Sequence, residues 1–164
     1  MKIIGIDPGL RICGYAVINS NVSGINLLEA GTIRADTKAE LADRLSQIAA
    51  DLDTILDSHD PDIMAVEQLY SHYAHPRTAI LMGHARGVIF QRAGVREMKV
   101  VDYSATKIKK SLTGNGRATK QQMQRAIAST LSLAAPPEPA DVADAIAIAL
   151  CCVNALNLED MIAF

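Results

Sequence analysis

Four acidic side chains stand where acids are costly. Asp7 closes the apolar run that begins at Ile3, and Glu67 closes the run that begins at Ile63. Asp141 and Asp144 open a stretch that is apolar nearly all round as far as Leu156. Asp is depleted in strands, and a buried carboxylate without a partner is expensive. Counting by twos puts Ile3, Gly5 and Asp7 on one strand face, and Ile63, Ala65 and Glu67 on one face of another. Asp141 and Asp144 are spaced i and i+3, so they share a helix face, at the end where the helix's partial positive charge favours acids. Each has an ordinary explanation alone. Asp141 suits an N-cap, Asp7 precedes a Pro8-Gly9 turn, and Glu67 could face solvent. Together they suggest one pocket. Converging carboxylates repel unless positive charge lies between them. Hard divalent cations with oxygen ligands supply it, and Mg²⁺ is held by a few carboxylates plus a substrate phosphate. Two such ions, about 4 Å apart, clamp the attacking and leaving oxygens of a phosphodiester displacement.

Basic residues follow in a cluster. Lys107, Lys109 and Lys110 lie on or near a short helix, Gly114-Asn115-Gly116-Arg117 reads as a loop, and Thr119 to Gln122 fits a capping box that opens another helix at Lys120. Backbone N–H groups at such a helix start, with a lysine beside them, suit a phosphate. The order and spacing of Gly, Lys and Thr exclude a P-loop. Tyr70, three residues after Glu67 in a polar loop, is placed to stack on an unpaired base or to pack on its own domain. Tyr73 could share that role. His72 and His75 have metal-ligand spacing only if the segment is helical, and it reads as a loop, so phosphate contact or exposure is expected.

The elements that must position these groups are legible in the hydrophobic period. Residues 2–7, 12–19 and 25–33 read as an antiparallel meander. Leu41, Leu45, Ile48, Leu52, Ile55 and Leu56 recur at helical steps over about 38–58. A strand is expected at 63–67, a helix at 77–92, a strand at 97–102, and helices at 104–112, 119–132 and 141–156. The order βββαβαβααα describes one α/β domain spanning 1–164, with a five-stranded mixed sheet flanked by helices.

Composition agrees. Hydrophobic residues make up 49% and charged residues 21%, enough apolar surface to exclude disorder. No apolar run reaches the roughly 20 residues a membrane helix needs. The first residues turn acidic too soon for a signal peptide, so a cytosolic protein with no membrane partner is expected. Cys13, Cys151 and Cys152 are odd in number and form no C-x-x-C; those in the apolar run read as buried free thiols. The net charge of −2 argues against nucleic acid, but its distribution argues for it. Residues 36–67 carry nine acids against two bases, and residues 86–125 carry ten bases against two acids. That asymmetry suggests a basic face for phosphates and an acidic, solvated face.

The segments Ile4-Gly-Ile-Asp7-Pro-Gly, Ala65-Val-Glu67-Gln, Gly83-His-Ala-Arg86-Gly87-Val and Ala140-Asp141-Val-Ala-Asp144-Ala-Ile-Ala resemble the four landmark segments of RuvC-type Holliday junction resolvases, in the family's order. The resemblance covers nearly the whole chain. It implies a ribonuclease-H-like fold, a homodimer, and Mg²⁺-dependent hydrolysis, with Mn²⁺ as a substitute and two ions per site. It further implies paired nicks in opposing strands of a four-way DNA junction, co-operation with RuvA and RuvB branch-migration proteins, and a bacterial cytoplasmic setting. By the same resemblance Asp7, Glu67, Asp141 and Asp144 are the metal ligands. Lys120 neutralises the scissile phosphate, Lys109 holds the backbone, and Tyr70, Arg77, Lys107, Lys110 and Arg117 contact DNA. Part of the helix carrying Ile80, Met82, Ala85, Val88 and Ile89, core on general grounds, would build the dimer. The loop 68–77 departs from the family's pattern. Three other readings share some of these features: a ribonuclease-H-like nuclease for RNA–DNA hybrids or transposition, an actin-like ATP-binding fold, for which the chain is short, and a junction-binding module without catalysis.

Overall fold

The computed structural model describes residues 1–69 and 76–162. β1 (Lys2–Asp7), β2 (Ile12–Asn21) and β3 (Gly24–Arg34) form the meander, and α1 (Leu41–His59) leads to β4 (Ile63–Glu67). Then come α2 (Pro76–Gly94), β5 (Lys99–Tyr103), α3 (Ala105–Thr113), α4 (Lys120–Thr130) and α5 (Ala140–Ile162). The sheet order is β3-β2-β1-β4-β5. The meander is antiparallel, while β4 and β5 run parallel to β1, which makes the mixed sheet expected of a ribonuclease-H-like fold. α1 starts later than its apolar period suggests, because the Asp36 carboxylate accepts the Lys38 N–H and folds the preceding residues into a turn.

The alternation of side chains divides the core into two layers. Ile4, Ile6, Met64 and Val66 face α1 and α2. Ile3, Ile63 and Ala65 face the other way, toward α3, α4 and α5. Asp7 and Glu67 continue the second row by strand period, so both belong to the α5 side. Here the helix comes very close to the sheet. A Cβ at Gly5 would lie 2.3 Å from the Ala145 carbonyl oxygen, and one at Gly14 would lie 2.0 Å from the Asp141 carbonyl oxygen. Gly14 is the antiparallel partner of Asp7. Backbone-on-backbone packing therefore sets the first turn of α5 beside the end of β1.

Residues 140–157 of α5 pass a length and composition test for a membrane span, but 61% of that stretch is buried in the protein, as an apolar helix packed against the sheet should be. One expectation needs correction: the acidic stretch is not simply solvated. Asp53 pairs with Arg92 of α2 and with Arg96 of the turn after it, and Asp57 with Arg96, at 2.6–2.7 Å. Burial pushes the Asp53 carboxyl up, but the hydrogen bonds and charges of the two arginines outweigh it and hold the group below the usual range. All three cysteines are buried and none forms a disulfide, the burial being as expected for Cys151 and Cys152.

Gly5→Ala should force α5 outward and cost about 1–3 kcal/mol of stability, read as a lowered urea midpoint. A midpoint equal to that of the unaltered chain would show that the helix accommodates a methyl group there.

Candidate active site

β1 and β4 lie side by side in parallel, with Ile6 opposite Val66, so Asp7 and Glu67 follow one step beyond the last rung. α5 approaches from the layer above. Its helical repeat turns Asp141 and Asp144 toward the sheet end, while Val142, Ala143 and Ala145 are buried. Asp141 lies within the first turn and not at the N-cap, because the helix already begins at Ala140. α3 and α4 close the far side. Ser104 caps α3 through the Lys107 N–H, and Thr119 and Gln122 form the expected capping box on α4. A Cβ at Gly116 would touch Thr106 at 2.7 Å, so the connecting loop packs on α3 and holds the two helices together.

The result is a cleft of about 220 Å³ whose rim includes Glu67, Asp144, Lys109 and Lys120, over an apolar floor that includes Ile108 and Ile127. Asp7 is half-buried beside it. Its carboxyl is pushed up to about 7, first by burial and then by the charges of Glu67, Asp144 and Asp141, with Lys120 opposing. Glu67 is also raised, by burial and by Asp144 against the pull of Lys109. Asp144 is raised by burial, and Asp141 adds to this while Lys120 and Lys109 oppose it. The four acids thus sense one another, as the sequence suggests. Among the described residues none of their carboxylates accepts a hydrogen bond or closes an ion pair, although Asp53, Asp57, Asp102 and Glu29 are all paired elsewhere.

This donor set fits a hard divalent cation. It is all oxygen, half-buried and short of positive charge, since two lysines face four acids. Among the described residues no three His, Cys, Asp or Glu side chains enclose an ion as they stand.

The basic residues divide. Lys109 and Lys120 reach the cleft. Lys107 instead lies over the Tyr103 ring, 4.7 Å from its centroid. Lys110, Arg117 and Arg77 are exposed on α3, on its following loop and on α2. Tyr70, Tyr73, His72 and His75 lie outside the described residues. Three of the ten bases between residues 86 and 125 (Arg86, Arg92 and Arg96) are bound in internal ion pairs, so the basic character concentrates on α3, α4 and the loop between them. Sequence reasoning missed Gly14, although an isolated strand glycine is a signal of close backbone approach. It also assigned no task to Arg86, whose guanidinium reaches the end of β4.

Comparison with known proteins yields consistent matches. The family model for the crossover junction endodeoxyribonuclease RuvC matches residues 3–152. A protein of that name from Rhodopirellula baltica is 52% identical over 149 residues, covering 91% of this chain and 84% of its own. The structure of Thermus thermophilus RuvC superposes with a TM-score of 0.89 at 26% identity, covering 97% of each chain. The same protein in complex with a Holliday junction substrate gives 0.88 at 24% identity, covering 96% of each.

The pH dependence of folding follows from Asp7. It keeps its proton in the folded chain where the unfolded chain, with a value of 3.8, has lost it. Without divalent cations, stability should therefore fall as pH rises from about 4 to about 7, by on the order of 4 kcal/mol, and level off above. Asp7→Asn should flatten this slope in thermal melts with EDTA. A slope unchanged by the substitution would show that Asp7 does not carry the strain.

Proposed function

The chain belongs to the RuvC family of crossover junction endodeoxyribonucleases, and we propose that Asp7, Glu67, Asp141 and Asp144 form its metal-dependent active site. It is a nuclease that resolves Holliday junctions in recombination and DNA repair. The observation that carries the site assignment is the convergence of four carboxylates, none of them paired among the described residues, beside a cleft with two lysines on its rim.

Within this reading 1–164 is one nuclease domain, and the acids hold Mg²⁺ or Mn²⁺, two ions per site. When bound, the cations supply the charge that ionises a water and offsets the negative charge gathering on the phosphate. The carboxylates fix where that charge sits. Lys120, at the first position of a capped helix, brings an ammonium and free backbone N–H groups to the scissile phosphate. Lys109, half-buried at the same cleft, neutralises a neighbouring backbone phosphate. Lys107, Lys110, Arg117 and Arg77 extend the DNA contact beyond the cleft, and Tyr70 stacks on an unpaired base at the crossover. A homodimer would present two such sites to a near-symmetric four-way junction and give paired nicks in opposing strands. Its working partners would be RuvA and RuvB, in the bacterial cytoplasm.

The test is a synthetic four-way junction with Mg²⁺. Nicks at symmetric points, with linear duplex spared, are expected, and equal cutting of linear duplex would overturn the reading. Asp7→Asn should keep junction binding and abolish cutting; normal cutting by that variant would remove Asp7 from the site. Lys120→Ala should slow single-turnover cleavage by about 10²-fold or more while junction affinity changes little, and an unchanged rate would exclude it from the chemistry. Binding should weaken as salt rises.

A further inference from the structure

One half-buried cation stands outside the cleft. Arg86 projects from α2, in the layer opposite α5, and its side chain is only 13% exposed. Its Nη1 donates to the backbone carbonyl of Glu67, and its Nη2 donates to Asp102 Oδ2 on β5 at 2.7 Å. The guanidinium lies over the Phe90 ring, 4.4 Å from its centroid. Ala85 and Ile89, on the same helix, are fully buried in the core, so the arginine springs from a fixed base.

The partners form a closed set around the end of β4. The Gln68 N–H donates to the Tyr103 carbonyl at 2.9 Å, and Gln68 Nε2 donates to the other oxygen of Asp102 at 3.3 Å. β4 is therefore tied at its last residue to β5 by the ladder and to α2 by the arginine. Glu67 is that residue, and its carboxylate lies at the cleft. A strand end that passes into a loop would otherwise fray, and the position of the side chain would fray with it.

We propose that Arg86, braced by Asp102, is a positioning residue for the cation site, fixing the backbone of Glu67 so that its carboxylate enters the cleft at one place. Arg86 does not bind DNA in this scheme, because its guanidinium is spent on Glu67, Asp102 and the Phe90 face. The proposal rests on the assignment of Glu67 as a metal ligand. Groups that orient ligands in this way typically change metal affinity or activity by about 10–100-fold when removed.

Calorimetric titration of the DNA-free protein with Mn²⁺ tests it, alongside junction binding in EDTA and a thermal melt. Arg86→Ala should weaken Mn²⁺ binding by about 10-fold or more, and raise by a similar factor the Mn²⁺ needed for half-maximal cleavage. Its junction affinity in EDTA should stay within about two-fold of the unaltered protein, since Arg86 makes no phosphate contact here. Arg86→Lys, which keeps the charge but not the planar fork, should fall between. Asp102→Asn leaves the arginine in place and should shift Mn²⁺ binding in the same direction by a smaller factor, which guards against a misfolded Arg86→Ala. Unchanged Mn²⁺ binding in both Arg86→Lys and Asp102→Asn would overturn the proposal. So would a loss of junction binding in EDTA larger than the loss of Mn²⁺ binding, which would make Arg86 a DNA contact. If the unaltered protein binds no Mn²⁺, or Glu67→Gln binds it equally well, the metal-site assignment fails first and the positioning role with it.

Discussion

Four negative groups can be held beside one cleft only if something other than charge holds them. Here that force is the packing of α5 on the sheet. The helix is apolar on almost every side, lies between the strands and two further helices, and is pressed to backbone contact at Gly5 and Gly14. Burial of this helix is favourable by roughly 25 cal/mol per Å² of apolar surface, and that free energy can hold Asp141 and Asp144 against Asp7 when electrostatics alone would separate them. The destabilised charge is then available to a cation, which relieves repulsion that the fold has already imposed. Binding affinity at the site and the closeness of helix to strand are thus two expressions of one contact.

The protein sorts its cations by task. Arg86, Arg92 and Arg96 are used inside the structure, where a planar fork can serve two acceptors at once: Arg96 joins Asp53 to Asp57, and Arg86 joins Glu67 to Asp102. Lys107, Lys109, Lys110 and Lys120 stand on α3 and α4 with no ion pair among the described residues. A flexible ammonium adapts to a phosphate that arrives and leaves, whereas a structural brace has to stay where it is. This division reconciles a net charge of −2 with a DNA substrate. The acids of α1 are partly matched by Arg92 of α2 and Arg96 just after it, on the layer opposite the cleft, and the unmatched positive charge gathers beside the site.

Much of this was legible in the residues before any coordinates. Periodicity and turn residues located the ten described elements in order, because β1 and β4 are short apolar runs, α1 keeps its stripe and α5 is a long apolar run. The strand parity of Asp7 and Glu67 was correct because the side-chain period of a strand leaves no freedom. Boundaries shifted where local polar chemistry overrode the apolar pattern, as at Asp36, whose carboxylate builds a turn within what the period reads as helix. Hydropathy alone cannot tell a core helix from a spanning one; what makes α5 a core helix is the sheet that buries it. The association of Asp53 with Arg92 and Arg96 was invisible for a different reason. It joins residues about forty positions apart, and nothing in either segment names the other.

Arg86 shows most clearly where sequence reasoning stops. Its neighbours on the helix announce a core, and an arginine among core residues announces only that some partner exists. The partner turns out to be a backbone carbonyl, a group every residue possesses and no sequence pattern marks. Side-chain ligands can be inferred from residue type because the chemistry is written in the type. The atoms that hold those ligands in place are often main-chain oxygens and glycine gaps, whose meaning arises only when two elements meet. The acids of this site could therefore be read from the chain, while the bracing of Glu67 from α2 and the gap at Gly14 became visible only once β1, β4 and α5 were seen together.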